Sequence, residues 1–86
     1  MEETAVAGRI RSFLNRQFPL IKNVGDQQPL LEGGLIDSLG ILDVVSFLES
    51  EFNIAVADEE LLPENFGTVR DLAQFVITKQ NGSSRD

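Results

Sequence analysis

Apolar residues recur with the period of an α-helix in three separate stretches of this chain, and no ladder of strands can be read from it. Val6, Ile10, Phe13 and Leu14 fall at i, i+4, i+7 and i+8, which predicts a helix from about Thr4 to Gln17. Ile41, Val44, Val45, Leu48 and Phe52 fall at i, i+3, i+4, i+7 and i+11 and predict a second, from Asp37 or Ser38 to about Phe52. Val69, Leu72, Ala73 and Val76, with Phe75 and Ile77 alongside, predict a third, from Thr68 to about Lys79. Pro63-Glu64-Asn65-Phe66 reads as one further helical turn, with proline at a first-turn position and Gly67 as its stop. The expected fold is all-α, a small four-helix bundle of three longer helices plus one short one.

The breaks between these stretches have their own chemistry. Gly8 weakens the first helix by about 1 kcal/mol relative to alanine. Pro19 ends it, because proline disfavours helical geometry in the residue before it. A long connection follows, 19–36, with turn signals at Pro29 and Gly33-Gly34. A loop of this length in a small domain tends to be functional. Its apolar residues, Leu20, Ile21, Val24, Leu30, Leu31, Leu35 and Ile36, predict that it packs over the helices. Asn53 to Val56 reads as an extended link, with Asp58 capping a brief turn through Leu62. Thr68 with Asp71 three residues on resembles a capping box. Asn81 to Asp86 is small and polar and reads as a disordered tail, leaving 1–80 as the folded domain.

Eighty-six residues make one domain with a modest core. There is no cysteine and no histidine. That removes disulfides, thiolate chemistry, the usual general base and the usual metal ligand. No D-x-[DN]-x-[DN]-G loop offers a calcium site, so no metal is expected. No run of 18 apolar residues occurs, and the acidic start Met1-Glu2-Glu3-Thr4 lacks the features of a signal peptide, so a cytoplasmic protein is expected. The net charge is −7, unevenly spread. Arg9, Arg11, Arg16 and Lys22 lie near the start; between Lys22 and Arg70 there is no basic residue and there are ten acids. Such a surface repels nucleic acid and anionic lipid and speeds encounter with a basic protein surface.

The run Gly34-Leu35-Ile36-Asp37-Ser38-Leu39-Gly40 places a serine where a turn hands over to the second helix. Asp37 and Ser38 are both good N-cap residues, and most such residues are only caps. Neither has Glu or Gln three residues on, so capping accounts for one of them and not for the pair. An anionic phosphodiester on Ser38 would sit at a helix N-terminus, where unpaired amides and the macrodipole favour it by roughly 0.3–1 kcal/mol. An arm attached there would leave the protein at an exposed corner. Gly40 either leaves room for an approaching enzyme or is a tolerated, slightly costly helix residue. Leu39 and Leu42 are either core or a small exposed contact patch.

From about Val6 to Ile77 the chain resembles the acyl carrier and peptidyl carrier proteins, the phosphopantetheine-binding domains. Asp37-Ser38-Leu39 matches their attachment motif. Leu48-Glu49-Ser50-Glu51-Phe52-Asn53-Ile54 looks like the exit of their second helix, and Pro63-Glu64-Asn65-Phe66-Gly67-Thr68-Val69 like their third helix and the start of the fourth. The run from Gly34 to Gly40 is most similar to discrete carriers served by stand-alone adenylating enzymes, such as D-alanyl carrier proteins. Gly40 and Ser46 depart from the carriers of fatty-acid synthesis, which tend to have a polar or acidic residue at the first position and a large apolar one at the second. The resemblance implies that Ser38 bears a covalent phosphopantetheine derived from coenzyme A. It implies that Asp37 helps position the modifying transferase and its magnesium ion. Leu39, Leu42, Asp43 and Glu49 would form a recognition strip. Phe47 and Phe66 would line a cargo space between the second and third helices, although Phe47 also reads as plain core. The implied partners are a phosphopantetheinyl transferase, an adenylating or acyltransferase loading enzyme, and downstream biosynthetic enzymes with basic docking surfaces.

Two functions compete on this reading, and a third is weaker. A non-enzymatic, monomeric carrier would hold its cargo as a thioester through the arm, since the chain has no thiol of its own. An unmodified acidic helical module would act by docking alone. An enzyme built on a carboxylate pair such as Glu59-Glu60 ranks below both, because a charge run is usually a solvated face.

Overall fold

The computed structural model describes residues 3–18, 21, 24–32, 34 and 36–83. It contains α1 (Glu3–Gln17), α2 (Ser38–Phe52), α3 (Pro63–Phe66) and α4 (Val69–Ser83), with a 3-10 turn at Asp58–Glu60. No strand occurs among the described residues, and the architecture is the small all-α bundle that the periodicity predicts.

α1 lies along α4, α3 packs against α4, and α2 meets α4 over a smaller contact. Val6, Ala7, Ile10 and Leu14 face inward from α1, and Val44, Leu48 and Phe52 from α2. Phe66, Val69, Leu72, Ala73, Phe75 and Val76 complete the interior from α3 and α4. Phe13, Ile41, Val45 and Ile77, each assigned to a helical stripe by spacing, are half-buried at its edge. No polar or charged side chain is buried among the described residues, so the bundle is held by apolar burial rather than by internal ion pairs.

The long connection packs down as its apolar residues predict. Ile21, Val24, Leu30 and Ile36 are buried. The loop is tied by backbone hydrogen bonds to the start of α4: Leu30 N–H donates to Gly67 O at 2.7 Å, and Arg70 N–H to Asp26 O at 2.9 Å. Arg11 pairs with Asp26 from the α1 side. Within the loop, Gly34 takes φ +75°, a left-handed turn that glycine adopts without steric cost, while Ile36 N–H closes onto Leu30 O at 3.1 Å. Pro19, Leu20, Gly33 and Leu35, which also figured in the sequence reading of this segment, lie outside the described residues.

Helix boundaries follow the capping chemistry, with two corrections. Thr68 Oγ1 accepts from Asp71 N–H at 3.0 Å and caps α4 as predicted. α4 then runs to Ser83, past the expected end at Lys79, so 81–83 are helical rather than part of a tail; 84–86 lie outside the described residues. The low helix propensities of Asn81 and Gly82 are weak forces beside an established hydrogen-bonded helix. Asp58 opens the 3-10 turn instead of capping it. The cap position is Ala57, whose N–H donates to the Glu60 carboxylate at 2.9 Å, because Glu60 can reach back three residues. Asn53, at φ 55°, ends α2 in the left-handed region that asparagine tolerates.

Candidate functional site

Asp37 and Ser38 divide the roles that the sequence left shared. Asp37 is extended (φ −92°, ψ −176°), and its Oδ1 accepts from Gly40 N–H at 2.7 Å. Its carbonyl takes Ile41 N–H at 3.1 Å, the first turn of the helix. Asp37 is therefore the N-cap, and Ser38 is the first helical residue. The first N–H groups of any helix lack intrahelical partners, so Ser38 sits at the positive end of the α2 dipole.

Gly40 corrects one of the two readings offered for it, that of room for an approaching enzyme. It is buried, not facing an open approach. A Cβ built there would lie 3.0 Å from Phe18 Cε1, 3.0 Å from Ile36 Cγ2 and 3.3 Å from Asp37 Oδ1. The residue is packed against its neighbours from three sides. Phe18 was missed by sequence reasoning because it stands beyond the periodic stretch of α1. A glycine in the first turn of a good helix was the signal that something presses against it.

Leu39 and Leu42, left open between core and patch, are exposed at 75% and 56%, and Asp43 and Ser46 are exposed beside them. Positions 39, 42, 43 and 46 share one face of α2 by helical spacing. Leu62, just before α3, is a further exposed leucine, at 42%, that the sequence did not single out. Glu49 stands apart from the rest of the strip. It is half-buried, and its Oε2 accepts from Val56 N–H at 2.9 Å, holding the link after α2.

Phe47 and Phe66 do not line a common space. Phe66 is core, 5.5 Å from Phe75. Phe47 stacks on Phe13 of α1 at 4.1 Å and meets Phe52 edge-on at 5.9 Å. Its position on α2 turns it toward α1, and it walls an open groove of about 320 Å³ with Gly8, Arg9, Ser12, Arg16 and Glu51. A smaller hollow of about 180 Å³ lies between Pro29 and Leu31 of the loop and Pro63, Thr68 and Asp71. The carboxylate pair Glu59-Glu60 is not an acid-base centre. Glu59 is exposed, whereas Glu60 holds Ala57 N–H and pairs with Lys79 Nζ at 2.9 Å. The Ala57 N–H, then the Lys79 ammonium, keep the Glu60 carboxyl below the usual carboxylate range. No group of three or more potential metal ligands gathers among the described residues, and no described helix is long and apolar enough to cross a membrane.

Residues 5–76 match the model of a protein family described as the phosphopantetheine attachment site. A probable acyl carrier protein, PigG, from Serratia sp. (strain ATCC 39006) is 38% identical over 50 residues. That alignment spans 58% of this chain and 58% of the relative. A chain in the crystal structure of an FAD-dependent dehydrogenase superposes with a TM-score of 0.70 at 25% identity, covering 78% of this chain and 97% of that one.

Proposed function

The chain belongs to the phosphopantetheine-attachment-site family, whose members are carriers that bear a covalent phosphopantetheine and are not themselves enzymes; from that premise we propose that the arm is attached through Ser38 and that the protein shuttles an acyl or aminoacyl group between biosynthetic enzymes. The observation that carries this reading is the family match over residues 5–76 together with an Asp-Ser-Leu run at the head of α2. The surroundings suit the group. Asp37 satisfies Gly40 N–H, so Ser38 is not needed as a cap, and a phosphodiester there meets the favourable end of a helix. The arm supplies a terminal thiol that holds cargo as a thioester, which this cysteine-free chain cannot supply from its own side chains.

Leu39, Leu42 and Asp43 form the docking strip in this reading, with Glu49 at its far end, and Asp37 assists the transferase. The partners are a phosphopantetheinyl transferase, a loading enzyme of the adenylating or acyltransferase kind, and downstream enzymes with basic surfaces. The carrier works as a monomer in the cytoplasm. The likeness to a chain in an FAD-dependent dehydrogenase structure favours a flavin-dependent dehydrogenase among those downstream enzymes. A thioester acidifies its α-hydrogen, and the flavin held by such an enzyme would supply the two-electron acceptor for oxidising the cargo to an α,β-unsaturated thioester. Loaded protein should then lose two hydrogens in mass only when such an enzyme is present.

Intact mass after incubation with coenzyme A, magnesium and a broad-specificity phosphopantetheinyl transferase tests the proposal. The expected result is a gain of one phosphopantetheine, absent in Ser38→Ala, with the variant still folded. A folded protein that stays at its unmodified mass would overturn the carrier reading and leave an acidic docking module. A gain that persists in Ser38→Ala would overturn the site.

A further inference from the structure

Resting on the reading of Ser38 as the attachment residue, we propose that Phe18 is a positioning residue for that modification. Its ring lies against the bare backbone of Gly40 and holds the first turn of α2 in the geometry a phosphopantetheinyl transferase requires, and residue 40 is glycine to admit it. Glycine is among the least favourable residues in a helix, and Gly40 sits two residues after Ser38 in the same turn. A Cβ there would lie 3.0 Å from Phe18 Cε1 and 3.0 Å from Ile36 Cγ2, tighter than nearly all real Cβ contacts, so a neighbour would have to give way.

The ring is itself held in place. Phe18 N–H donates to Leu14 O at 2.9 Å, and its carbonyl accepts Ile21 N–H at 2.8 Å, which fixes its backbone at the end of α1. Phe13 backs the ring edge-on at 6.3 Å and stacks on Phe47 of α2 at 4.1 Å. The support therefore runs from the head of α2, through the end of α1, to the middle of α2. The Asp37 cap fixes the same residue from the other side, through Gly40 N–H. The ring, the Ile36 methyl and the cap converge on the one turn that carries Ser38.

In the modification, the Ser38 hydroxyl oxygen forms a bond to the phosphorus that bears the pantetheine. The bond from that phosphorus to the adenosine bisphosphate breaks, and the hydroxyl proton passes to a base on the transferase. Such an in-line displacement is sensitive to placement, and a shift of about 1 Å can cost on the order of a hundredfold in rate. A methyl at position 40 forces the ring or the turn to move by a few tenths of an ångström. The exposed leucines serve encounter, so their loss raises KM. Displacement of the turn misaligns the bound complex, so its loss falls on kcat.

The test is steady-state modification by coenzyme A, magnesium and transferase, with folding followed by circular dichroism. Gly40→Ala is expected to lower kcat about tenfold with KM little changed. Adding Phe18→Leu to it, which removes the ring's contact and lets the turn shift the methyl away from Ile36, is expected to restore kcat to within about threefold of the wild type. Modification of Gly40→Ala at the wild-type kcat would overturn the proposal, as would a loss that tracks only the unfolded fraction and is not relieved by Phe18→Leu. If Gly40→Ala does not fold, Phe18→Leu alone carries the test: a kcat reduced about threefold supports the role, and an unchanged kcat overturns it. Wild-type protein that is never modified would instead overturn the reading of Ser38, so the two failures are distinct.

Discussion

α2 and α4 are both 15 residues long, and they use their apolar side chains in opposite ways. α4 turns Val69, Leu72, Ala73, Phe75 and Val76 into the interior, where they meet α1 and α3. α2 buries Val44, Leu48 and Phe52 along its later turns and leaves Leu39 and Leu42 exposed at its head. α4 gives these side chains to the core, while the head of α2 keeps two leucines at the surface. Substitution should separate the two uses cleanly. Leu72→Ala, at 1% exposure, is expected to cost about 2–5 kcal/mol in urea unfolding, from lost burial and the cavity left behind. Leu39→Ala and Leu42→Ala should stay within about 0.5 kcal/mol of the wild type. The same two variants, or Asp43→Arg, should raise the KM for transferase or loading enzyme, and the Asp43 effect should shrink as salt is added. A Leu42→Ala variant as unstable as Leu72→Ala would erase the contrast between the helices.

Asp37 lies where the two uses meet, since it both caps α2 and adjoins Ser38. Asp37→Ala removes the acceptor from Gly40 N–H and is expected to destabilise by about 1 kcal/mol. Asp37→Asn keeps an acceptor and should recover most of that stability. If its modification rate nevertheless falls, the carboxylate charge contributes to the transferase reaction apart from the cap. Recovery of stability and rate together would reduce Asp37 to a cap.

The helices and their buried stripes were legible because each was written with a single period. Val6, Ile10 and Leu14, or Val69, Leu72 and Val76, announce their faces without reference to anything distant. The candidate site was legible as a candidate to the extent that it is local: Asp37, Ser38 and Leu39 are neighbours in sequence. What could not be read depends on residues far apart. Gly40 is approached by Phe18, 22 positions earlier, as closely as by the nearby Ile36, and no periodicity encodes the approach of that ring. Phe47 sits on a flank of its stripe, and only the placement of α1 decides that it stacks on Phe13 rather than facing α3. Glu49 looked like a surface charge by spacing, yet Val56 N–H occupies one of its oxygens, because the chain turns back after Asn53.

Glu60 offers the mildest way to sharpen the contrast, since the partners of its carboxylate are Ala57 and Lys79, on the α3–α4 side. Its carboxylate accepts Ala57 N–H and pairs with Lys79 on α4, and both interactions favour the charged form. Its folded pKa therefore lies below the unfolded value of about 4.3. A carboxyl depressed in this way contributes its stability at pH values above the unfolded pKa, and that contribution is lost as pH falls through the folded pKa. The wild type should lose stability on acidification from about pH 5 downward, and Glu60→Gln should lose less over the same range while being weaker at neutral pH. Because the pair is partly exposed, the difference should be small and should diminish in high salt. Urea midpoints for both proteins across that range decide it. Parallel curves would mean that Glu60 makes no net electrostatic contribution. Modification kinetics unchanged at neutral pH in Glu60→Gln would show that the α3–α4 side can be loosened without disturbing the head of α2.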